Sequence, residues 1–169
     1  MSNHKGLVDG VVGLEDALGR IRSVADYQFG KNVGTKLFPE NVEIVRSKRT
    51  GRIRYVYLSG KRLATLRPTD GLFSLSIAGA KRIVENAVSV SCLVTVQDDV
   101  SNFIAEGGDV FAKHVVEADS DIRPKDEVIV VNQNGEVLAV GRAVLSGEEM
   151  EVFARGAAVK VRRGCMEES

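Results

Sequence analysis

At 169 residues, 44% hydrophobic and 27% charged, the chain has an ordinary globular composition and can bury one sizeable core or two small ones. No apolar run approaches the ~18 residues of a membrane span, residues 1–10 lack the apolar centre of a secretory signal, and Cys92 and Cys165 show neither metal-ligand spacing nor a disulfide framework. Membrane insertion and a cystine scaffold are thereby excluded, the cytoplasm is the expected location, and the zero net charge conceals a division. Residues 1–87 hold 15 Lys or Arg against 8 Asp or Glu (+7), and residues 88–169 hold 8 against 15 (−7). The first half is the expected attractor for a phosphate backbone, the bland alternative being uneven surface charge that serves solubility.

Residues 1–13 are Gly-rich and weakly patterned, as in a loose lead-in. From Leu14 the apolar positions Leu14, Ala17, Leu18, Ile21 and Ala25 recur at helical spacing, and the helix they predict stops near Gly30. Gly34 and the word Lys36-Leu37-Phe38 lead to Pro39, which forces an extended or turned backbone. Between Val42 and Leu66 the turn signals Thr50-Gly51 and Ser59-Gly60 divide a β-rich stretch into a three-stranded meander. Residues 76–86 then place Ile77, Ala80 and Val84 on one side of a helix that would cover the sheet. Residues 14–87 thus predict an α+β domain, helices on a small antiparallel sheet.

A second domain is expected over residues 88–164, with 165–169 as a tail. It begins with the apolar strand SVSCLVTVQ, followed by a helix capped by Asp98 or Asp99, buried through Val100, Phe103 and Ile104, and ended by a left-handed Gly107. A strand over 109–116 precedes the turn Arg123-Pro124-Lys125-Asp126, the buried run Val128 to Val131, a turn at Asn132 to Gly135 and a strand from Val137. Ser146 and Glu149 have the spacing of a capping box, and Ala158 to Arg163 supplies a closing strand. On that strand alternation buries Val159 and Val161 and exposes Lys160 and Arg162, with Arg163 a third cation at its end.

The densest cationic cluster is Arg46, Lys48, Arg49, Arg52 and Arg54, which straddles the Thr50-Gly51 turn as a two-column ribbon suited to phosphates, or else forms a solvated tip. Tyr55 and Tyr57 are predicted on the face opposite Arg54, as packing residues first and base-stacking platforms second. His4 and His114 have no partner at metal spacing, and Asp98-Asp99 suits a cap better than an acid/base pair. There is no P-loop, no G-x-G-x-x-G and no nucleophile elbow, so no catalytic constellation, metal or cofactor is expected.

The words VFAKHV, RPKDEVIVVN, LAVGRA and RGAAVKVRRG, in this order of elements, resemble the PUA domain, a mixed β-barrel that binds RNA. They are most similar to the C-terminal end of the archaeal tRNA-guanine transglycosylases that start archaeosine synthesis. The earlier words ADYQFGKNVGTKLFP and RSKRTGRIRYVYLSGKRLATLRPTDGLFSLSIAGAKRI are similar to the domain just before it, so the resemblance runs from about Ile21 to Gly164.

The resemblance implies that RNA lies between the region after the first PUA helix and the last strand, which here means Gly107, Gly108, Asp109, Phe111 and Lys113 with Lys160, Arg162 and Arg163. Phe111 and Lys113 are expected to share a strand face, with Phe111 either stacking on a base or lying in the core. The implied ligand is tRNA, gripped at its acceptor stem and 3′ end. A TIM-barrel catalytic portion needs ~200 or more residues by itself. The implied function is therefore that of a non-catalytic tRNA-binding part of a split archaeal transglycosylase or related modification system, whose partner would be a separate catalytic subunit. The alternatives are a ribosome-associated translation factor with a PUA domain and, third, a complete RNA-modifying enzyme with an unrecognised site.

Overall fold

A computed structural model of the chain describes the backbone of residues 2–167 and the side chains of residues 16–167. The His4 and Leu14 side chains lie outside the described part. Helix α1 spans Ser2–Phe29, beginning well before the point at which the apolar pattern sharpens, and buries Ala17, Ile21, Ala25 and Phe29 as that pattern requires. A short α2 (Val33–Leu37) follows, entered through the left-handed Asn32. Asp26 reaches back to accept from the Gly34 N–H at 2.6 Å, which ties the two helices together at their corner.

Four strands then form an antiparallel sheet in the order β1 (Glu43–Arg46), β2 (Ile53–Leu58), β3 (Lys61–Leu66) and β4 (Phe73–Leu75). The expected meander thus gains a fourth strand, too short to carry a period-two signature. It is recruited by the turn at Arg67–Gly71, where the Arg67 N–H donates to the Leu72 carbonyl and Gly71 sits at φ 71°. Helix α3 (Ile77–Asn86) starts at Ser76, whose Oγ accepts from the Gly79 N–H at 3.0 Å; it buries Gly79, Ala80 and Ile83 fully, with the expected Ile77 and Val84 partly buried against the same core. Phe29, Phe38 and Phe73 fill the space between helices and sheet, the last two with ring centroids 5.2 Å apart.

The remainder is a six-stranded mixed sheet in the order β6-β10-β9-β8-β5-β7, built from β5 (Leu93–Val96), β6 (Val110–Phe111), β7 (Val115–Ala118), β8 (Glu127–Val131), β9 (Val137–Ala143) and β10 (Ala157–Gly164). Only β5 and β8 pair in parallel. The two edge strands, β6 and β7, are consecutive in the chain and joined by a 3₁₀ turn at Ala112–His114, so the sheet curls into a nearly closed barrel. The expected fold class, an α+β unit followed by a mixed β-barrel, is the one observed.

Several local expectations are corrected. The single strand over 109–116 is two strands broken by the 3₁₀ turn, which removes Lys113 from any strand face shared with Phe111. The helix after β5 is a 3₁₀ turn (Asp98–Val100) running into α4 (Ser101–Ala105), and neither aspartate caps it: Asp98 accepts instead from the Gln133 N–H at 3.0 Å, pinning the β8–β9 turn. Phe103 is 56% exposed, because the helix is one turn long and only Ile104 and Ala105 reach the barrel core. The capping box is present in full at α5 (Gly147–Val152), with Ser146 Oγ accepting from the Glu149 N–H at 3.1 Å and Glu149 Oε1 accepting from the Ser146 N–H at 2.9 Å.

The two sheets are not independent bodies. Ile129, Val131, Val137 and Val140 on β8 and β9 belong to the same apolar cluster as Phe29, Phe73 and Ile83. The barrel interior is a separate cluster around Ile104, Ile122, Val130 and Met150. At the junction lies Glu127, the one charged residue buried to 1% among the described residues. Its carboxylate accepts from the Leu75 N–H at 2.7 Å and pairs through both oxygens with Arg162, whose Nη2 also donates to the Leu75 carbonyl at 2.8 Å. An Arg and a Glu of the barrel thereby clamp both polar groups of one peptide-bonded residue in the neighbouring sheet.

Candidate nucleic-acid interface

The β1–β2 hairpin tip is held by its own backbone: Gly51 N–H donates to the Ser47 carbonyl and Ser47 N–H to the Arg52 carbonyl, both at 2.8 Å, with Gly51 at φ 73°. The loop is longer than alternation implies. Of the five expected cations only Arg46 and Arg54 are on strands, while Lys48, Arg49 and Arg52 are on the exposed turn, so the two-column ribbon is not formed. Arg46, itself exposed, donates from Nη1 to the Gly51 carbonyl at 2.9 Å, bracing the tip.

What the fold makes instead is a cleft of about 530 Å³ between this tip and the β3–β4 turn, lined by Arg49, Arg52, Arg54 and Arg67 together with Pro68 and Gly71. Arg67 was not among the sequence candidates; the Asp70-Gly71 turn signal beside it would have located it. Asp70 faces Arg67 at 3.0 Å. Against a burial contribution that raises it, the Leu72 N–H and the Arg67 guanidinium hold the Asp70 carboxyl below the ordinary carboxylate range. One of the four cleft arginines is therefore balanced internally, and an anion entering the cleft meets a surplus of positive charge.

In the barrel, Gly107 ends α4 at φ 106°, with its N–H donating to the Ile104 carbonyl and that of Gly108 to the Phe103 carbonyl, both at 2.9 Å. The left-handed expectation is met. The bare backbone is nevertheless covered by the chain's own atoms: a Cβ at Gly108 would fall 2.2 Å from the Phe103 ring, and one at Gly107 would fall 2.8 Å from the Glu167 carboxylate. Phe103 and Phe111, which flank the two glycines in the chain, are 56% and 40% exposed, so aromatic side chains rather than glycine backbone are what this segment presents. The open question over Phe111 is resolved toward the surface.

Asp109 and Arg162 have structural partners. Asp109 Oδ1 accepts from the Val161 N–H at 2.9 Å, stitching the loop to β10. Arg162 is the extra residue of a bulge, since Val161 pairs with Gly141 and Arg163 with the next residue, Val140. The bulge breaks the alternation and turns the Arg162 guanidinium onto Glu127 and Leu75, leaving its side chain 39% exposed. Lys160, Arg163 and Lys113 are on the surface. Among the described residues no group of His, Cys, Asp and Glu could hold a metal ion.

Two family models match: the patch-forming domain C2 of tRNA-guanine transglycosylase over residues 19–89, and the PUA domain over residues 93–165. The chain is 48% identical over 144 residues to the tRNA-guanine(15) transglycosylase of Thermococcus kodakarensis, and 42% identical over 149 residues to that of Methanothermobacter thermautotrophicus. These alignments cover 85% and 88% of this chain but 24% and 23% of the relatives, so the chain spans about a quarter of their length. In fold it is similar to a hypothetical protein of Pyrococcus horikoshii, with a TM-score of 0.72, 24% identity, and coverage of 89% of this chain and 91% of that one. A conserved PUA domain protein from Thermoplasma acidophilum follows with a TM-score of 0.65, 20% identity, and 92% of each chain covered. The cationic hairpin sheet and the curled barrel thus correspond to matched domains of known kind: this chain carries a patch-forming C2 domain followed by a PUA domain, and resembles the C-terminal part of the archaeal tRNA-guanine transglycosylases.

Proposed function

We propose that this chain is a tRNA-binding protein that grips the acceptor end, acting without chemistry of its own as the tRNA-binding part of a transglycosylase system whose catalytic portion is a separate polypeptide. The observation that carries the reading is the four-arginine cleft of the C2 sheet, joined through a shared core to the PUA barrel. The cleft supplies phosphate attraction that is blind to sequence, because cations position a nucleic acid and do not read it. The barrel supplies shape: Phe103 and Phe111 offer faces to an unpaired 3′ end, with Lys113, Lys160 and Arg163 as candidate backbone contacts. Asp109 and Arg162 act by holding β10 and the domain junction rather than by touching RNA.

Binding of tRNA to the full chain, followed across a salt series, tests the first half. If three to five phosphates are engaged, log Kd against log salt should have a slope of roughly 2 to 4, and Arg49→Glu with Arg52→Glu should weaken all RNAs alike. A response flat in salt overturns the cleft's role. Competition between intact tRNA and tRNA trimmed of its 3′ end tests the second half: a preference for the intact end, lost in Phe111→Ala, is expected, and equal affinity overturns acceptor-end recognition. Affinity capture should recover a transglycosylase catalytic polypeptide; recovery of ribosomal subunits in its place would favour a translation factor.

A further inference from the structure

Beside the arginine cleft lies a pair of aromatic rings that phosphate attraction does not use. Val56 is fully buried against the core, and the residues on either side of it, Tyr55 and Tyr57, are turned to the other face of the sheet, where they are only partly buried. Their ring centroids are 6.2 Å apart and the planes are inclined at 60°. β2 is flanked by β1 and β3, so both rings stand on an inner strand of the sheet. Arg54, which also lines the cleft, holds its guanidinium 5.7 Å from the Tyr55 centroid, and Arg62 does the same at 5.8 Å.

From this arrangement we infer that the outer face of the C2 sheet is a stacking platform for unpaired nucleobases of a single-stranded RNA segment, with Tyr55 and Tyr57 as its two stacking faces. The inference deepens the tRNA-binding reading and rests on it. A nucleobase is a flat π-system, and its stacking on an accessible tyrosine face discriminates little between bases. The phosphate attached to such a base needs a cation within a nucleotide's reach, and Arg54 is placed between ring and cleft. Both guanidinium contacts are near the ~6 Å outer limit of a cation–π interaction. A phosphate that draws Arg54 or Arg62 aside uncovers the Tyr55 ring for the base it carries, so one loose contact is exchanged for an ion pair and a stack. Charge complementarity selects RNA as the occupant: Arg54 and Arg62 both hold guanidinium groups beside the Tyr55 ring, Arg54 continues into the cleft with Arg49, Arg52 and Arg67, and Glu43, paired across from Tyr57, is the one carboxylate in the register of β1 and β2.

The test uses the full chain and three probes: tRNA, a short oligouridine, and an abasic ribose-phosphate strand of the same length and charge. Wild type should bind oligouridine more tightly than the abasic strand by about 5-fold or more, the lower end of stacking on one aromatic. In a Phe103→Leu, Phe111→Leu background, which removes the aromatic faces of the barrel, Tyr55→Leu with Tyr57→Leu should abolish that margin and leave abasic affinity unchanged. The chain has 3 tyrosines and no tryptophan. In a Tyr27→Phe variant, altered at a position 84% exposed, all emission therefore comes from the two platform rings. That emission should fall on adding oligouridine and hold constant with the abasic strand; this arm decides the matter if the double variant fails to fold. A margin that survives the double substitution, or emission indifferent to oligouridine, overturns the platform while tRNA binding stands. Absence of tRNA binding by wild type overturns the parent reading and the platform with it.

Discussion

Single residues in this chain acquire their roles from what surrounds them, and Asp119 illustrates it. Its Oδ2 accepts from the Leu93 N–H at 2.8 Å, locking the start of β5. Burial, followed by the charges of Glu117 and Asp121, pushes its carboxyl above the ordinary carboxylate range despite that hydrogen bond. A carboxyl whose folded pKa is raised binds protons more readily in the native state, so its contribution to stability is complete below the unfolded pKa and is lost as pH climbs through the folded one. Asp119→Asn keeps an acceptor for Leu93 and removes the titration. Relative to wild type, the variant should therefore gain in thermal midpoint between about pH 3 and about pH 7. A difference in midpoint that is constant across that range overturns the assignment. Cys92 belongs to the same scale: fully buried, its thiol is pushed far up by the surrounding apolar core and serves as packing.

At the scale of elements, the α3–β3 contact is the most demanding in the C2 sheet. The helix approaches so closely that a Cβ on Gly79 would fall 2.1 Å from the Leu63 carbonyl oxygen, a backbone atom that cannot swing aside. Ser76 sets that approach, because its Oγ accepts from Gly79 N–H while donating toward the β3 carbonyls of Arg62 and Leu63. Gly79→Ala improves helix propensity by up to ~1 kcal/mol, whereas overpacking costs about 1–3 kcal/mol. The second effect is expected to win. Chemical denaturation should show a net loss of stability; a gain would mean that helix and sheet can separate without cost. The hairpin tip lies on the opposite side of this balance, with its arginines on an exposed turn and the load on a few backbone hydrogen bonds.

On the scale of the whole molecule, the two matched domains share one apolar cluster through β8 and β9 and are joined by the Glu127–Arg162–Leu75 clamp. Burying Glu127 is tolerable only because Arg162 and the Leu75 N–H satisfy its oxygens. Arg162→Met leaves that carboxylate without a cation, and a loss of about 3 kcal/mol is expected, toward the low end for broken buried pairs because Arg162 keeps some hydration. All three tyrosines precede residue 60, so tyrosine emission reports the first sheet, whereas far-UV circular dichroism reports the whole chain. The two melting curves of wild type should coincide. Separated midpoints would show that the shared apolar cluster does not couple the units.

Local chemistry was sufficient for much of this fold. The apolar periodicity of α1, the Ser146/Glu149 capping box, the buried run of β8 and the left-handed Gly107 are each specified within a few residues, and the structure reproduces them. The resemblance carried by the words around them marked the C2 and PUA domains, which the family matches bear out. What sequence could not determine depends on register and on approach between distant segments. A single-residue bulge after Val161 redirected Arg162 from solvent to the junction, since one extra residue inverts the faces of every side chain beyond it. Arg67 entered the cleft because β4 pairs with β3 and folds the intervening turn against the hairpin tip. Phe103 covered Gly108 because a helix of one turn has too little surface to bury three apolar faces. The amino-acid sequence by itself determined most of the helices, strands and turns and the two domain types they resemble; tertiary pairing decided the fourth strand of the first sheet, the break between β6 and β7, and which cations face solvent and which hold the molecule together, because those choices are made by partners far away in the chain.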